Sequence, residues 1–264
     1  MIENHRRARR LAALGFVAAL IPAAGAQASP WQWSITPYMW LSEIGVDASI
    51  NDQEVLEREA DLADVLDDLD FSLQLHAEGQ RGRHGLFFDF SYTDLGDDDK
   101  RFALPGGLPG EIVAKGDLEM TLIEAGGLFN PRGDGTGLTL LYGARVVDAD
   151  EEIDARYDFG PGSTESRRYE ASATLADGLV GARYLGRLSD RWSFLLRADV
   201  SAGGTELTWN AWTGLGYSFG AGGRHALLAG YRYMEIEFEE EDRRAEVESQ
   251  VKLGGFIAGI QFGF

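Results

Sequence analysis

The chain has 264 residues, with 24 Lys and Arg against 43 Asp and Glu, a formal net charge of -19, and no Cys. The lack of Cys excludes disulfides, a zinc-thiolate site and a cysteine nucleophile. The acidic balance argues against a nucleic-acid partner, because phosphate binding needs a basic face. Gly accounts for 34 of the 264 residues, a fraction nearly twice the usual share of about 7%. Such a high Gly content suits closely packed, strongly bent β-sheet.

The first 28 residues have the three parts of a secretory signal peptide. A basic start at Arg6–Arg10 precedes an apolar stretch from Leu11 to Ile21, and Ala26–Ala28 forms a small-x-small cleavage site. The apolar stretch falls short of the roughly 20 residues that a membrane-spanning helix needs, and Pro22 interrupts it. We therefore predict a signal peptide over residues 1–28 and one domain over residues 29–264, exported across the inner membrane.

Most of the remaining sequence alternates with a period of two, which is typical of β-strands. Phe71–Gln80, Trp192–Val200 and Phe256–Phe264 each have one apolar face and one more polar face. A soluble β-sandwich alternates as well, but Arg and Glu at strand centres suit a wet barrel interior, with lipid against the apolar face. The aromatic residues predicted to form an interfacial girdle are Trp31, Trp33, Trp192, Tyr217, Phe219, Phe262 and Phe264.

Connection lengths give the strand count and the orientation. Short turns are predicted at residues 82–84, 131–137, 189–191 and 220–224, and long acidic loops at 94–110, 148–174 and 237–246. Since bacterial barrels have short periplasmic turns and longer outer loops, we predict an all-β fold, an antiparallel transmembrane β-barrel of about ten strands. Eight or twelve strands are the alternatives. The predicted strands are 31–42, 70–81, 84–95, 114–129, 137–149, 175–188, 191–201, 206–219, 225–237 and 248–264.

Two segments depart from the simple strand pattern. Residues 55–70 are acidic and carry apolar residues at helical spacing, which predicts one short acidic helix. Glu124 would face lipid if its strand kept one phase throughout. Because a carboxylate in lipid is costly, we predict a β-bulge near Leu122–Ile123 that turns Glu124 inward.

The triplet Gly-x-Arg occurs on three predicted strands, at Gly143–Arg145, Gly181–Arg183 and Gly230–Arg232. The middle residue of each triplet shares a face with apolar neighbours, so Gly and Arg are expected to point inward. The side chains predicted to line the lumen are Arg145, Arg183, Arg197, Arg232, His76, Glu78, Asp89, Asp117, Glu119 and Asp199. They indicate either a charge-paired interior that fills a narrow barrel or a lumen that passes or binds a small solute.

An enzyme would need a placed nucleophile or base. Three His lie beyond the signal peptide, and His84 and His225 fall at predicted periplasmic turns. His76 shares a lumen face with Glu78 and could act with it as a base in a lipid- or peptide-modifying enzyme. No nucleophile is evident beside this pair, so a His within a lumen hydrogen-bond network is favoured. We predict a non-enzymatic barrel without catalytic residues, cofactor or resident metal site.

The predicted outer connections carry clustered carboxylates, as in Asp97–Asp99 and Asp148–Asp154. Carboxylates attract hard divalent cations, so these loops predict cations at the outer surface, although none has the spacing of a calcium-binding loop. Lipopolysaccharide, with the outer-membrane lipid, is the expected neighbour, and nearby Arg side chains suit its phosphates. Surface adhesion through the acidic loops is a further alternative to the structural or solute-passing role.

Several motifs resemble a family of uncharacterised proteobacterial outer-membrane β-barrel proteins. They are the start Trp33–Trp40 (WSITPYMW), the acidic stretch Asp61–Phe71, the strand Gly181–Tyr184, the segment Arg191–Asp199, the strand Gly230–Tyr233 and the end Phe262–Phe264. The resemblance covers nearly the whole chain after the signal. It implies a single-chain barrel in the outer membrane of a Gram-negative bacterium, without an established activity. A final strand that ends in Phe264 is further expected to meet the barrel assembly machinery.

Overall fold

The computed structural model describes residues 30–50, 53–60, 69–96, 100–103, 111–158, 164–242 and 245–264. The predicted signal peptide lies outside this range. The strands are β1 (Gln32–Ile50), β2 (Gln53–Ala60), β3 (Leu69–Arg81), β4 (His84–Gly96), β5 (Lys100–Ala103), β6 (Glu111–Phe129), β7 (Gly137–Asp158), β8 (Thr164–Arg187), β9 (Trp192–Gly203), β10 (Leu207–Phe219), β11 (His225–Asp242) and β12 (Ala245–Gly263).

Ten of these strands form a closed antiparallel β-barrel, as the alternation predicts. Strands β1, β3, β4 and β6–β12 pair in sequence, and β12 returns to pair with β1. Trp33 and Phe264 exchange backbone hydrogen bonds of 3.1 and 3.0 Å at the closing seam. Closure pairs the edge strands with each other, which removes the exposed edges that an open sheet would present.

One end of the barrel, here named the turn end, carries the short connections. The β3–β4 turn is only Gly82–Arg83, and Gly82 has a φ of 58°, which favours glycine. In the β6–β7 turn, the backbone N–H and the hydroxyl of Thr136 donate to Asp134 at 2.9 and 2.8 Å. These hydrogen bonds lower the pKa of the Asp134 carboxyl.

The opposite end, here named the hairpin end, is built differently from the prediction. The segment 148–174 was expected to be a loop, but β7 and β8 stay paired as far as Asp158 and Thr164. Segment 237–246 likewise continues the β11–β12 ladder, to the pair of Asp242 and Ala245. Short strands β2 and β5 extend the wall here, beside β1 and β6.

The short acidic helix predicted over residues 55–70 is wrong where the structure describes it. Residues 55–60 belong to β2, and residues 69–70 begin β3, while residues 61–68 lie outside the described range. Pairing with β1 supplies hydrogen-bond partners for the backbone of β2, and such tertiary pairing overrides helical spacing. Among the described residues, no helix is long and apolar enough to cross a membrane, which says nothing about crossing by strands.

An apolar band surrounds the outside of the barrel between two aromatic girdles. Near the turn end, Trp31 stacks on Trp33 at 5.4 Å and Trp192 meets Tyr217 at 5.1 Å between ring centroids. Towards the hairpin end, Trp209 lies 4.9 Å from Tyr233. Trp209 and Tyr217 share the outer face of β10, eight positions apart, or about 20 Å along the barrel axis for a strand tilted by about 40°. This height approaches the roughly 25 Å apolar band of outer-membrane barrels.

Glycine allows neighbouring strands to approach closely at the Gly-x-Arg triplets. A Cβ built on Gly143 would lie 2.1 Å from the carbonyl oxygen of Ala125, and one on Gly230 would lie 2.2 Å from that of Thr213. A Cβ on Gly181 would lie 2.4 Å from the Cβ of Asp199. Each triplet therefore combines an inward Arg with a glycine at which the wall bends too tightly for a side chain.

We predict that Gly143→Ala destabilises the barrel by about 1–3 kcal/mol, because the added methyl must displace backbone rather than a flexible side chain. Gly178→Ala is the matched control, since its nearest neighbouring atom lies 4.0 Å away. Urea unfolding of the detergent-solubilised variants, followed by tryptophan fluorescence, measures the difference. Equal stability of the two variants would contradict the proposed close approach.

Candidate functional site

A buried network of ions crosses the middle of the barrel. Arg145 on β7 donates from Nε and Nη2 to Glu124 on β6 at 3.0 and 2.6 Å, and Nη2 also donates to Asp199 on β9. Arg197 on β9 donates to Glu124 at 2.6 Å and to Asp199 at 2.7 Å. Arg145 and Glu124 are 0% exposed. Two guanidinium groups therefore share two carboxylates, almost out of contact with solvent.

Arg232 on β11 extends the network to the far wall. Its Nε donates to Asn210 at 2.8 Å, and Asn210 in turn donates to Asp199 at 2.8 Å. The Nη2 of Arg232 lies 3.6 Å from a Glu124 oxygen, too far for a hydrogen bond. The guanidinium carbon lies 4.3 Å from the ring centre of Trp40, a cation–π contact.

A second group of charges lies beside this network, closer to the turn end. Arg183 on β8 donates from both Nη atoms to Glu78 on β3, at 2.6 and 2.8 Å. His76 on β3 has Nδ1 2.9 Å from Asp89 and Nε2 3.6 Å from Glu78. Tyr38 donates to the other Asp89 oxygen at 2.7 Å. Both ring nitrogens of His76 therefore face carboxylates.

The structure places eight of the predicted lumen residues in these two groups: Arg145, Arg183, Arg197, Arg232, His76, Glu78, Asp89 and Asp199. With Glu124 added, four guanidinium groups face four carboxylates, so these two groups together are electrically neutral when His76 is neutral. This balance is expected of buried ions, because an unpaired charge in a medium of low polarity costs several kcal/mol. A further buried carboxylate, Asp177, lies apart from them and accepts hydrogen bonds from Ser201, Thr205 and the backbone of Gly204 instead.

Glu119 and Asp117 are the exceptions, since they face outward. Leu118, Met120 and Leu122 line an interior void of about 30 Å³ on β6, so the intervening odd-numbered residues occupy the other face. The predicted bulge near Leu122–Ile123 is also wrong, because β6 pairs with β4 and with β7 without a register shift there. The strand keeps one phase throughout, with its even-numbered residues inward, so Glu124 points inward as predicted but without a bulge, and the predicted phase was wrong for residues 117–121.

Apolar layers lie on both sides of the ions. On the hairpin side, Trp40, Leu122, Val147, Met234, Ile236 and Leu253 form a buried cluster. On the turn side, Phe87, Leu128 and Leu141 pack together with Leu179. Every strand of the ring contributes a buried inward side chain near this level: Trp40, Gln74, Ser91, Leu122, Val147, Asp177, Ser201, Thr208, Met234 and Leu253, all at most 7% exposed.

This ring of buried side chains leaves no wide aqueous path. A water-filled channel would expose the side chains that line it, but those of the ring are almost free of solvent contact. An interior void of about 80 Å³ lies beside the ions and is lined by residues that include Tyr38, His76, Arg183 and Arg232. This volume corresponds to roughly two or three water molecules in the liquid.

Sequence reasoning missed several members of the site. Asn210 joins Arg232 to Asp199, and Ser201 accepts from Arg145 at 3.0 Å. Asn210 alternates with Thr208 and Trp212 on β10, so its inward direction was readable from the strand pattern. Trp40 was not predictable in this role, because it belongs to an interior apolar layer that period-two alternation cannot distinguish from a lipid-facing one.

The described residues include no group of His, Asp and Glu side chains that could hold a metal ion. Ion pairs at the hairpin end are of another kind, since they are exposed. Arg168 donates to both oxygens of Asp154 at 2.8 Å, and these hydrogen bonds raise the pKa of Arg168. Such solvated pairs contribute little to stability.

No protein-family model and no curated protein matches the chain. Among solved structures, it is similar to the outer membrane protease OmpT from Escherichia coli, with a TM-score of 0.50 and 9% identity over 91% of this chain and 99% of that chain. The Ail protein of Yersinia pestis matches with a TM-score of 0.31 and 11% identity, over 86% and 97% of the two chains. At such identities the likeness to OmpT shows the barrel fold alone.

We predict that Arg145→Met destabilises the protein by about 3–5 kcal/mol, because it leaves Glu124 and Asp199 buried with fewer counter-charges. Arg168→Gln removes an exposed pair and is expected to cause no measurable change. Unfolding by urea in detergent micelles compares the two variants with the wild type. If both variants were as stable as the wild type, the interior network would have no structural importance.

Proposed function

We propose that the chain is an integral outer-membrane protein of a Gram-negative bacterium. In the described strands, the outer face between the girdles carries no charged residue, while Glu43, Asp94, Glu119 and Asp148 lie beyond it towards the hairpin end. A protein that spans a bilayer must pair all of its backbone hydrogen-bonding groups and must present an apolar surface to the lipid. A closed barrel with an apolar outer band does both. The likeness in fold to OmpT supports this proposal.

Within that membrane, the barrel acts as a sealed structural element, and no solute passes through it. The observation that carries this proposal is the complete burial of Arg145 and Glu124 at the centre of the lumen. A solute in transit would have to separate these ions from their partners and displace the apolar cluster around Met234. Narrow barrels are commonly filled in this way, whereas open channels need more strands.

Surface recognition is a second candidate function, favoured by the length of the hairpins. Strands β7 and β8 remain paired for ten residues beyond Asp148, to Asp158 and Thr164, which is about 33 Å along the strand. This extension is exposed and charged, with Arg168 paired to Glu152 and Asp154. In the proposed orientation it projects from the cell, where lipopolysaccharide and divalent cations are its expected partners.

We further propose that the protein is not an enzyme. His76 would be the catalytic base of a lipid- or peptide-modifying barrel, but its two nitrogens face Asp89 and Glu78 at 2.9 and 3.6 Å. Neither nitrogen makes a hydrogen bond to a hydroxyl group in the described structure. The geometry thus fits a histidine that links two carboxylates across the interior.

We expect no discrete conductance when the purified, folded protein is reconstituted in planar bilayers. A trimeric porin recorded under the same conditions is the positive control for the recording. Co-flotation with lipid vesicles independently checks insertion. Stable single-channel steps would contradict the sealed interior, and failure to float with vesicles would contradict the membrane location.

We expect His76→Ala to leave the lipid A composition of the outer membrane unchanged. Mass spectrometry of lipid A compares cells that carry the wild type, the variant and a deletion of the gene. A modification that is present with the wild type and absent in both other strains would overturn the non-enzymatic proposal. The folded amount of each protein is measured in parallel, so that loss of the barrel is not mistaken for loss of catalysis.

A further inference from the structure

The 80 Å³ cavity beside the ion network contains donors that the protein leaves without acceptors. The Nη2 of Arg232 and the Nε of Arg183 are buried and make no hydrogen bond, and both residues line this cavity. The residue Arg232 is only 4% exposed. Leaving a buried charged donor without an acceptor is costly, so these two nitrogen donors call for an acceptor that the chain does not supply.

The remaining lining favours a negative occupant when His76 is protonated, because the two charged groups then carry one positive charge in excess. Arg183, Arg197, Arg232 and His76 line the cavity, against Asp89 as its one carboxylate in the described structure. Both Asp89 oxygens already accept hydrogen bonds, from Tyr38 and from His76. The polar contacts available to a molecule in the cavity are therefore mainly those of the cationic side chains. The opposite lining is apolar and includes Phe87, Leu128 and Leu228.

We propose that this cavity is a binding site for one small inorganic anion, of a size between a halide and a tetrahedral oxyanion. Arg232 and Arg183 donate to the anion through the N–H groups that have no partner within the protein. The volume limits the ligand, because about two or three water volumes exclude a sugar, a nucleotide or a lipid headgroup. This site goes beyond the sealed structural role proposed above and is compatible with either result of the conductance recording.

Bromide is a suitable probe, because its anomalous scattering locates it in a crystal. We expect a bromide peak in crystals of the wild-type protein, within hydrogen-bond distance of Arg232 or Arg183 in the cavity. In detergent solution at constant ionic strength, replacing gluconate with bromide or phosphate should raise the unfolding temperature with saturation. At ten times the dissociation constant the rise should be roughly 3–5 °C.

Two variants separate this site from general salt effects. Arg232→Gln removes an unpartnered donor, and Leu228→Phe fills the cavity while keeping every charge. Both should abolish the saturable rise, whereas Arg168→Gln at the hairpin end should retain it. A rise that persists in the folded Arg232→Gln or Leu228→Phe variant would place the anion elsewhere and overturn the proposal.

A wild-type cavity without a bromide peak, together with no saturable rise, would also overturn the proposal and leave water as the occupant. The crystal result decides even if neither variant folds. Conductance does not enter either measurement, so failure of this inference is distinguishable from failure of the sealed-barrel proposal.

Discussion

The need to compensate buried charges, by opposite charges or by hydrogen bonds, governs the interior of this barrel. Four guanidinium groups and four carboxylates form two adjacent groups in the middle of the lumen, and Glu124 alone has Arg145, Arg197 and Arg232 within 3.6 Å. None of these ions can be removed without leaving another uncompensated in surroundings of low polarity. The glycines of the Gly-x-Arg triplets let their strands approach the neighbouring strands more closely than a side chain would allow.

The polarity of each face reverses along the longer strands. On β6, the outward residues of the apolar band include Ile123 and Phe129, while the outward residues beyond it include Asp117 and Glu119. The inward residues change from Glu124 within the band to Leu122, Met120 and Leu118 beyond it. In the proposed membrane location, the physical reason is that the surroundings of the barrel change from hydrocarbon to water at the girdle, while the interior beyond the girdle is a conventional apolar core.

This reversal explains what could be predicted from the sequence and what could not. Within the band, strand phases were readable because apolar residues must face lipid, and eight lumen residues were placed by that rule alone. For Glu119 the same rule wrongly predicted an inward side chain. A polar side chain indicates the inner face of a strand only where the outer face contacts lipid. The hairpin-end strands were missed for a related reason. Exposed paired strands such as Gly137–Asp158 beyond the band need no apolar face, so their sequence is as polar as that of a loop.

The cross-lumen ion pairs also contribute to the specificity of the register. Backbone hydrogen bonds between neighbouring strands are equivalent after a slip of two residues, and such a slip keeps apolar side chains outside. The ion pairs are not equivalent, because Arg183 on β8 meets Glu78 on β3 and Arg197 on β9 meets Glu124 on β6, which are strands not paired with each other in the wall. A slip in the intervening strands would separate these partners inside the barrel. Burying these charges costs free energy, but their pairing also favours the native strand register over registers shifted by two residues.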